Sequence, residues 1–333
     1  MVETRKGRAV KVHVVSSCTD RKKVSIAPSR RLRNHRRADV NSAVSRWKEA
    51  LLSGTDQRTP VRDTYAGEHW VEFLRVVDSR PEAGAVQGWI ASAGYGLVPL
   101  DSAVVGYAAT FSPGSADSVA RLGPTGVDWW RSLASWDGPH PGSPRTIGGV
   151  VQNAAVGELV VVTASPNYLH AMSEDLLAAM KVSEAGHAAD LLVMGTKLPS
   201  NLSTAHPDHV VQFGSGLQRL VGGSRIGLNI RVLAKALEEA GGTRDRIRDW
   251  VTSANAQYPV LPAPDRDRAD DGTVAKFIAS RLREAPGIKA SPLLREWRDA
   301  GKACEQGRFG KIYRRVATQV TESAVRGVRS EAR

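Results

Sequence analysis

The sequence predicts an α/β fold, a mixed or parallel sheet flanked by helices, followed by a small C-terminal helical module of helix-turn-helix or winged-helix type. Three observations predict it: short Val-rich runs alternating with segments of helical periodicity, a proline-rich charged stretch at residues 259–272 (PVLPAPDRDRADDG), and three helix-like segments beyond it. Strands interleaved with helices are the pattern of a sheet covered on both faces. The expected division is an α/β domain over 1–258 that carries the candidate site, a linker over 259–272, and a basic helical module over 273–333.

Taken in order, AVKVHVVS at residues 9–16 is rich in β-branched residues and reads as a buried first strand. The basic segment RRLRNHRR, residues 30–37, leads into a helix over 38–52, where Val40, Val44, Trp47, Leu51 and Leu52 recur at helical spacing before Gly54. A second helix over 68–77 precedes the strand VQGWIAS, residues 86–92, which ends in the small-residue turn Ala93-Gly94-Tyr95-Gly96. Residues 113–150 are rich in Gly, Pro, Ser and Trp, and they read as an ordered excursion because Trp129, Trp130 and Trp136 would be costly to leave in water. Strands are expected over 159–164 and 189–195, with a helix over 167–180 between them. The turn RLVGG, residues 219–223, precedes an amphipathic helix over 228–240 closed by Gly241-Gly242. Beyond the linker, helices are expected over 273–283, from an N-cap at Ser291 with Pro292 at the first helical position, and over 308–320.

The formal charge of +12 is segregated. Residues 1–48 hold 14 Lys/Arg against 3 Asp/Glu and residues 289–333 hold 11 against 5, which leaves the middle of the chain net acidic. Basic ends on an acidic body suit a polyanion, because each phosphate neutralised releases condensed counterions. DNA is therefore the expected partner, although ordinary basic tails would give the same count. The longest apolar runs, such as GELVVVTA at 157–164, fall well short of the roughly 20 residues a membrane span requires, so no membrane partner is expected. Cys18 and Cys304 stand 286 positions apart with no Cys/His spacing around them, which argues against both a disulfide framework and a zinc site. No metal and no cofactor are expected, and the absence of a secretory signal suggests a bacterial-type cytoplasm.

Several constellations carry chemistry. The turn Ser16-Ser17-Cys18-Thr19-Asp20-Arg21-Lys22-Lys23 follows the first strand with a thiol, hydroxyls, a carboxylate and three cations. Backbone amides there, with Arg21 and Lys22, would hold an anion. Cys18 as a nucleophile competes with Cys18 as simple packing. Tyr65, Glu68 and His69 fall within five residues in YAGEHW, and Glu68 reads equally as a favourable charge in the first turn of a helix. Ser92, Tyr95, Asp101, Tyr107 and Thr110 cluster around small residues, where Tyr95 and Tyr107 offer flat surfaces for a base or merely cap the sheet. The approach GGSRIGLN, residues 222–229, matches neither dinucleotide nor P-loop spacing, yet leaves a phosphate seat beside Arg225 and Asn229. In the last helix Arg308, Lys311, Arg314 and Arg315 lie among Phe309, Ile312 and Val316, a face for DNA phosphates or simply a solvated one. The motifs of zinc proteases, α/β-hydrolases and zinc deaminases are absent.

The order CTDRKK, YAGEHW, WIASAGYGLVPLDS and GYAATFS over residues 10–112 resembles the bacterial family related to the peroxide-stress YaaA proteins and to the DUF6884 domains. The later segments VGGSRIGLNIR and LLREWRDAGKACEQGRF are similar to extensions of its larger, phage-defence branch. That resemblance implies a DNA glycosylase that flips out and excises α-glucosylated hydroxymethylcytosine from phage DNA. Such chemistry needs a carboxylate, for which Asp20 is the first choice, then Glu68 and Asp101. It also needs a pocket for the base, for which Cys18, Thr19, Tyr65, His69, Ser92, Tyr95, Tyr107, Thr110 and Asn229 are candidates. Arg21, Lys22, Arg225 and the four cations of the last helix are the expected DNA contacts. A non-catalytic DNA-binding or damage-protection protein, and a base-exchanging transglycosylase, remain the alternatives.

Overall fold

The computed structural model describes residues 11–35, 39–53, 57–79, 85–122, 125–260 and 266–331, with side chains in the last helix described as far as 320. The chain divides into two compact units, residues 1–260 and 261–333.

The first unit is built on a six-stranded mixed sheet. Its strands are β1 (Val12–Ser17), β2 (Val86–Ser92), β3 (Gly96–Pro99), β4 (Leu159–Thr163), β5 (Asp190–Gly195) and β6 (Val210–Gln212). The spatial order is β3-β2-β1-β4-β5-β6. All neighbours are parallel except β2 and β3, which form an antiparallel pair. Every residue of β1 and β4 is buried. A strand covered on both faces needs no regular polar alternation, which is why these segments read as Val-rich runs. The chain leaves β1 toward β2 and β3, then returns to place β4 on the other side of β1, with Ser16 paired to Thr163. The carboxyl ends of β1 and β4 thus meet at a topological switch point, where open α/β sheets leave a crevice.

Helices among the described residues of this unit include α1 (Val40–Leu52), α2 (Glu68–Asp78), α3 (Gly126–Ala134), α4 (Ile147–Asn153), α5 (Pro166–Ala171), α6 (Ser173–Glu184), α7 (Leu228–Ala240) and α8 (Arg244–Gln257). The expected single helix over 167–180 is two, broken at Met172. The described residues of the excursion over 113–150 are ordered as expected: Trp129 and Trp130 are buried, and the Trp129 indole donates to the Ala93 carbonyl at 2.8 Å. Five of these elements, β3, β6, α3, α4 and α8, escaped the sequence. β3 and β6 are too short to show a period, and α8 buries only Ile247, Val251 and Ala254 among many charges.

The basic segment before α1 is partly structural. Arg30 is buried and donates to the carbonyls of Ala50 and Ser53 at the end of α1, at 3.2 and 3.1 Å. Arg33 makes a two-pronged ion pair with buried Asp117. Residues 36 and 37 of the segment, residue 38 of the expected helix, and residues 1–10 lie outside the described residues.

The second unit packs α9 (Asp271–Glu284), α10 (Ala290–Asp299) and α11 (Gln306–Glu331) around Ile278, Leu293, Trp297, Phe309 and Ile312. A two-residue parallel ladder joins Asp267–Arg268 to Lys302–Ala303. Much of the expected linker belongs to this unit, since Asp270 caps α9 by accepting from the Thr273 amide at 2.8 Å. Ser291 is not a cap: α10 begins at Ala290, and Pro292 sits inside the first turn, where no intrahelical amide is missed. No helix among the described residues is long and apolar enough to cross a membrane.

Candidate functional site

A cavity of about 620 Å³ opens at the switch point. Its wall is formed by Ser17–Arg21 after β1, by Ala66–His69 at the entry to α2, and by Thr110 and Ser112. Ser165, Pro166 and Tyr168 after β4, Ser224–Ile226, and Asn229 in the first turn of α7 complete most of it. Cys18, Thr19, Asp20, Arg21, Glu68, His69, Thr110, Arg225 and Asn229, drawn from four separate stretches of the sequence, therefore share one cavity. A groove of about 730 Å³ on the second unit is larger, but its lining of Ala275, Lys276, Ala279, Arg283, Val316, Gln319 and Val320 offers no carboxylate, thiol or imidazole.

The turn after β1 is pinned to the segment before α2. The Ala66 amide donates to the Arg21 carbonyl and the Lys23 amide to the Thr64 carbonyl, both at 2.9 Å. The Thr19 hydroxyl lies within reach of the Ala66 and Arg21 carbonyls, at 2.9 and 3.0 Å. Asp20 is exposed at the cavity wall, and among the described residues its carboxylate has no hydrogen-bond donor and no ion-pair partner. Buried Cys18 shares a hydrogen bond of 3.1 Å with the Tyr168 hydroxyl. Burial first, and the neighbouring thiol second, hold the Tyr168 phenol protonated well above its ordinary range.

Lys22 departs from its expected role. Its ammonium turns inward, donates to the Thr19 carbonyl at 3.3 Å, and lies 4.4 Å over the Tyr107 ring, away from the cavity wall. Desolvation lowers its pKa. A half-buried cation held by an aromatic face steadies the turn and is not a phosphate grip.

Glu68 is committed to a partner. It accepts from the Ser224 amide at 2.9 Å and pairs with the guanidinium of Arg231, which also donates to the Ser224 carbonyl. The bonds from Ser224, reinforced by Arg231, bring the Glu68 pKa down to about 2. Glu68 is therefore ionised and anchors the 222–227 loop to α2, a positioning role and not that of a free catalytic carboxylate. Gly223 and Gly227 lie against the Arg231 guanidinium, so that a Cβ would fall 2.3 and 2.7 Å from it and the end of that side chain would have to shift. His69 lies one residue further on, with Nε2 3.1 Å from Ser16 Oγ, and that hydroxyl donates to the Thr163 carbonyl at 3.0 Å. Burial pushes the His69 pKa down to about 4, so the ring is neutral at pH 7. Asn229 donates to the Ala164 carbonyl at 2.8 Å, tying the start of α7 to the end of β4.

Besides Lys22, five residues expected to be catalytic or to bind the base are not in the cavity. Tyr65, Ser92 and Tyr107 form a buried hydroxyl chain, with the Tyr65–Tyr107 contact at 2.7 Å and the Ser92–Tyr107 contact at 2.6 Å. Tyr95 is buried beside them and bonds to the backbone of Val105. These tyrosines cap the sheet and offer no face to a base. Asp101 is exposed beyond β3, which runs antiparallel to β2 back from its carboxyl end, the Leu100 amide donating to the Gly88 carbonyl. In the second unit Arg308 is tied to Asp271 at 2.7 Å and to the Ala269 carbonyl at 3.0 Å. Lys311, Arg314 and Arg315 are exposed.

Sequence reasoning missed Tyr168, Arg231 and Ile226. Arg231 left a trace, being a cation on the apolar side of α7 between Ile230 and Val232. Tyr168 left none, because nothing local links it to Cys18, 150 positions earlier. Among the described residues no group of three or more His, Cys, Asp or Glu is arranged to hold a metal ion. Comparison with protein-family models, with curated proteins and with solved structures finds no match to this chain.

Proposed function

We propose that the switch-point cavity receives a nucleotide extruded from DNA and hydrolyses its N-glycosidic bond. The proposed base is glucosylated hydroxymethylcytosine, and the proposed setting is defence against phage. The observation that carries this reading is the carboxylate of Asp20, unpaired at the wall of a cavity that Arg21 and Arg225 also line. Cleaving a nucleoside bond builds positive charge on the sugar, and a carboxylate close to it stabilises the transition state more than the ground state. In this reading the C1′–N bond breaks, the bonding electrons leave with the base, water adds at C1′, and the proton released by that water is taken up as the base departs. Arg21 and Arg225 hold the flanking phosphates, and Cys18, Tyr168 and Thr110 present hydrogen-bonding groups to the base. Glu68 and Arg231 keep the loop in place, and the exposed Lys311, Arg314 and Arg315 give the second unit a cationic face for DNA.

The test is incubation of the full-length chain with phage DNA carrying that base, with mass spectrometry of the released material. Base release by the parental chain is expected, with a loss of about 100-fold or more in Asp20→Asn under single turnover at unchanged DNA binding. Absence of a released base would overturn the hydrolytic reading and leave a DNA-binding protein. Parental rates in Asp20→Asn would overturn the assignment of the carboxylate.

A further inference from the structure

Ile226 lines the mouth of the cavity and is 79% exposed, more than Leu52, Val71, Val156 or Val260, the other exposed large apolar side chains among the described residues. Exposure alone is ordinary. The setting is not. Ile226 is the middle residue of the short turn Arg225–Gly227, which stands on the Glu68–Arg231 ion pair and on two glycines packed against that guanidinium. Gly227 and Leu228, immediately after it, are buried. An aliphatic side chain on a turn anchored by that ion pair therefore projects into water at the cavity edge, next to the exposed cation Arg225.

Resting on the reading of the cavity as a seat for an extruded nucleotide, we propose that Ile226 is a wedge that enters the DNA stack where that nucleotide leaves. Removing a base from a duplex opens a gap whose apolar walls are the faces of the neighbouring bases. Proteins that deform DNA commonly fill such gaps with an aliphatic or aromatic side chain. Three requirements follow: the wedge must adjoin the pocket, must be held stiffly enough to push, and must have a cation beside it for the displaced backbone. Ile226 meets the first by lining the cavity, the second through the Arg231 anchor, and the third through Arg225. The ligand class is therefore double-stranded DNA, in which a stack exists to be entered, in preference to a free nucleoside or a single strand.

The experiment compares base release from native phage DNA carrying glucosylated hydroxymethylcytosine with release from the same DNA after heat denaturation. The readout is the ratio of the two rates. Ile226→Gly is expected to lower the duplex-to-single-strand ratio about tenfold, because opening a stack is costly only where the duplex holds one, and Ile226→Leu is expected to restore most of it. An unchanged ratio in Ile226→Gly overturns the wedge, as does a ratio that Leu fails to restore. If the parental chain releases no base at all, the hydrolytic reading fails separately. The wedge is then decided by a duplex with 2-aminopurine in place of the extruded base, whose fluorescence should rise on binding the parental chain and not on binding Ile226→Gly. Equal fluorescence with both chains overturns it.

Discussion

Two glycine-bearing segments of this chain, Ala93–Gly96 after β2 and Gly222–Gly227 before α7, look alike as sequence and do opposite things. Both read as places where a ligand approaches the backbone. In the first, a Cβ on Gly94 would lie 2.4 Å from the Tyr107 ring, so the glycine makes room for a buried tyrosine. In the second, Gly223 and Gly227 make room for the Arg231 guanidinium, and the loop they create turns Arg225 and Ile226 outward. What differs is the occupant. A neutral ring in a hydroxyl chain closes the core, whereas a cation paired with half-exposed Glu68 fixes a rim and leaves the neighbouring side chains free. A small residue marks a close approach without saying whether the visitor is the protein itself or a ligand.

The sharpest way to break this comparison is to fill both spaces. Gly94→Ala should be the more damaging, because Tyr107 is fully buried and held by Trp47, Tyr95 and Ser92. Overpacking of this kind costs about 1–3 kcal/mol, read as a lower denaturant midpoint. Gly223→Ala combines a contact at 2.3 Å with a φ of +66, yet the loop lies at the surface. Its stability loss should be about 1 kcal/mol, and its larger effect should appear in DNA binding or base release. The opposite ranking in chemical denaturation would show that the rim, and not the Tyr107 network, is the tighter of the two.

Acid sharpens the same contrast. The Glu68 carboxylate has a folded pKa of about 2 against an ordinary 4.5, so the unfolded chain binds its proton more readily. Its stabilising contribution is present above the ordinary value and is lost as pH falls from there toward 2. The difference in stability between the parental chain and Glu68→Gln should therefore be level near neutrality and shrink below about pH 5. The carboxylate is partly exposed, so the difference should be small, as for other solvent-screened pairs. A difference that stays constant down to pH 2 would show that Ser224 and Arg231 do not hold Glu68 as described.

The smallest expected effect belongs to Tyr95→Phe. It removes a hydroxyl that, among the described residues, bonds to the Val105 backbone at 3.2 and 3.4 Å, and should cost about 1 kcal/mol in thermal or chemical unfolding. Base release per folded molecule should not change. A marked fall in that rate would return Tyr95 to the site.

Much of the frame was legible in the chain itself. Strand β2 and helix α7 occupy the residues expected of them, and β1, β4, β5, α1 and α2 shift by three residues or fewer at either end. Their signals are local, since runs of Val mark strands buried on both faces and returns at three and four residues mark helix faces. The turn after the first strand was legible as part of a site because strand ends in α/β sheets face outward. The charge count was less informative than it looked. Arg30, Arg33 and Arg308 each answer a carbonyl or a carboxylate of this same protein, so a basic segment is not by itself a free basic surface.

The sequence by itself determined the fold class, the basic ends and the stretch that bears Cys18, Thr19, Asp20 and Arg21, because these follow from neighbours along the chain. Only the tertiary structure decided which glycines serve the core and which carboxylate is left without a partner. Glu68 and Arg231 are 163 positions apart, and Cys18 and Tyr168 are 150 apart. Whether a side chain is satisfied or available depends on groups of that separation, which the crossing from β3 to β4 brings together and no local pattern records.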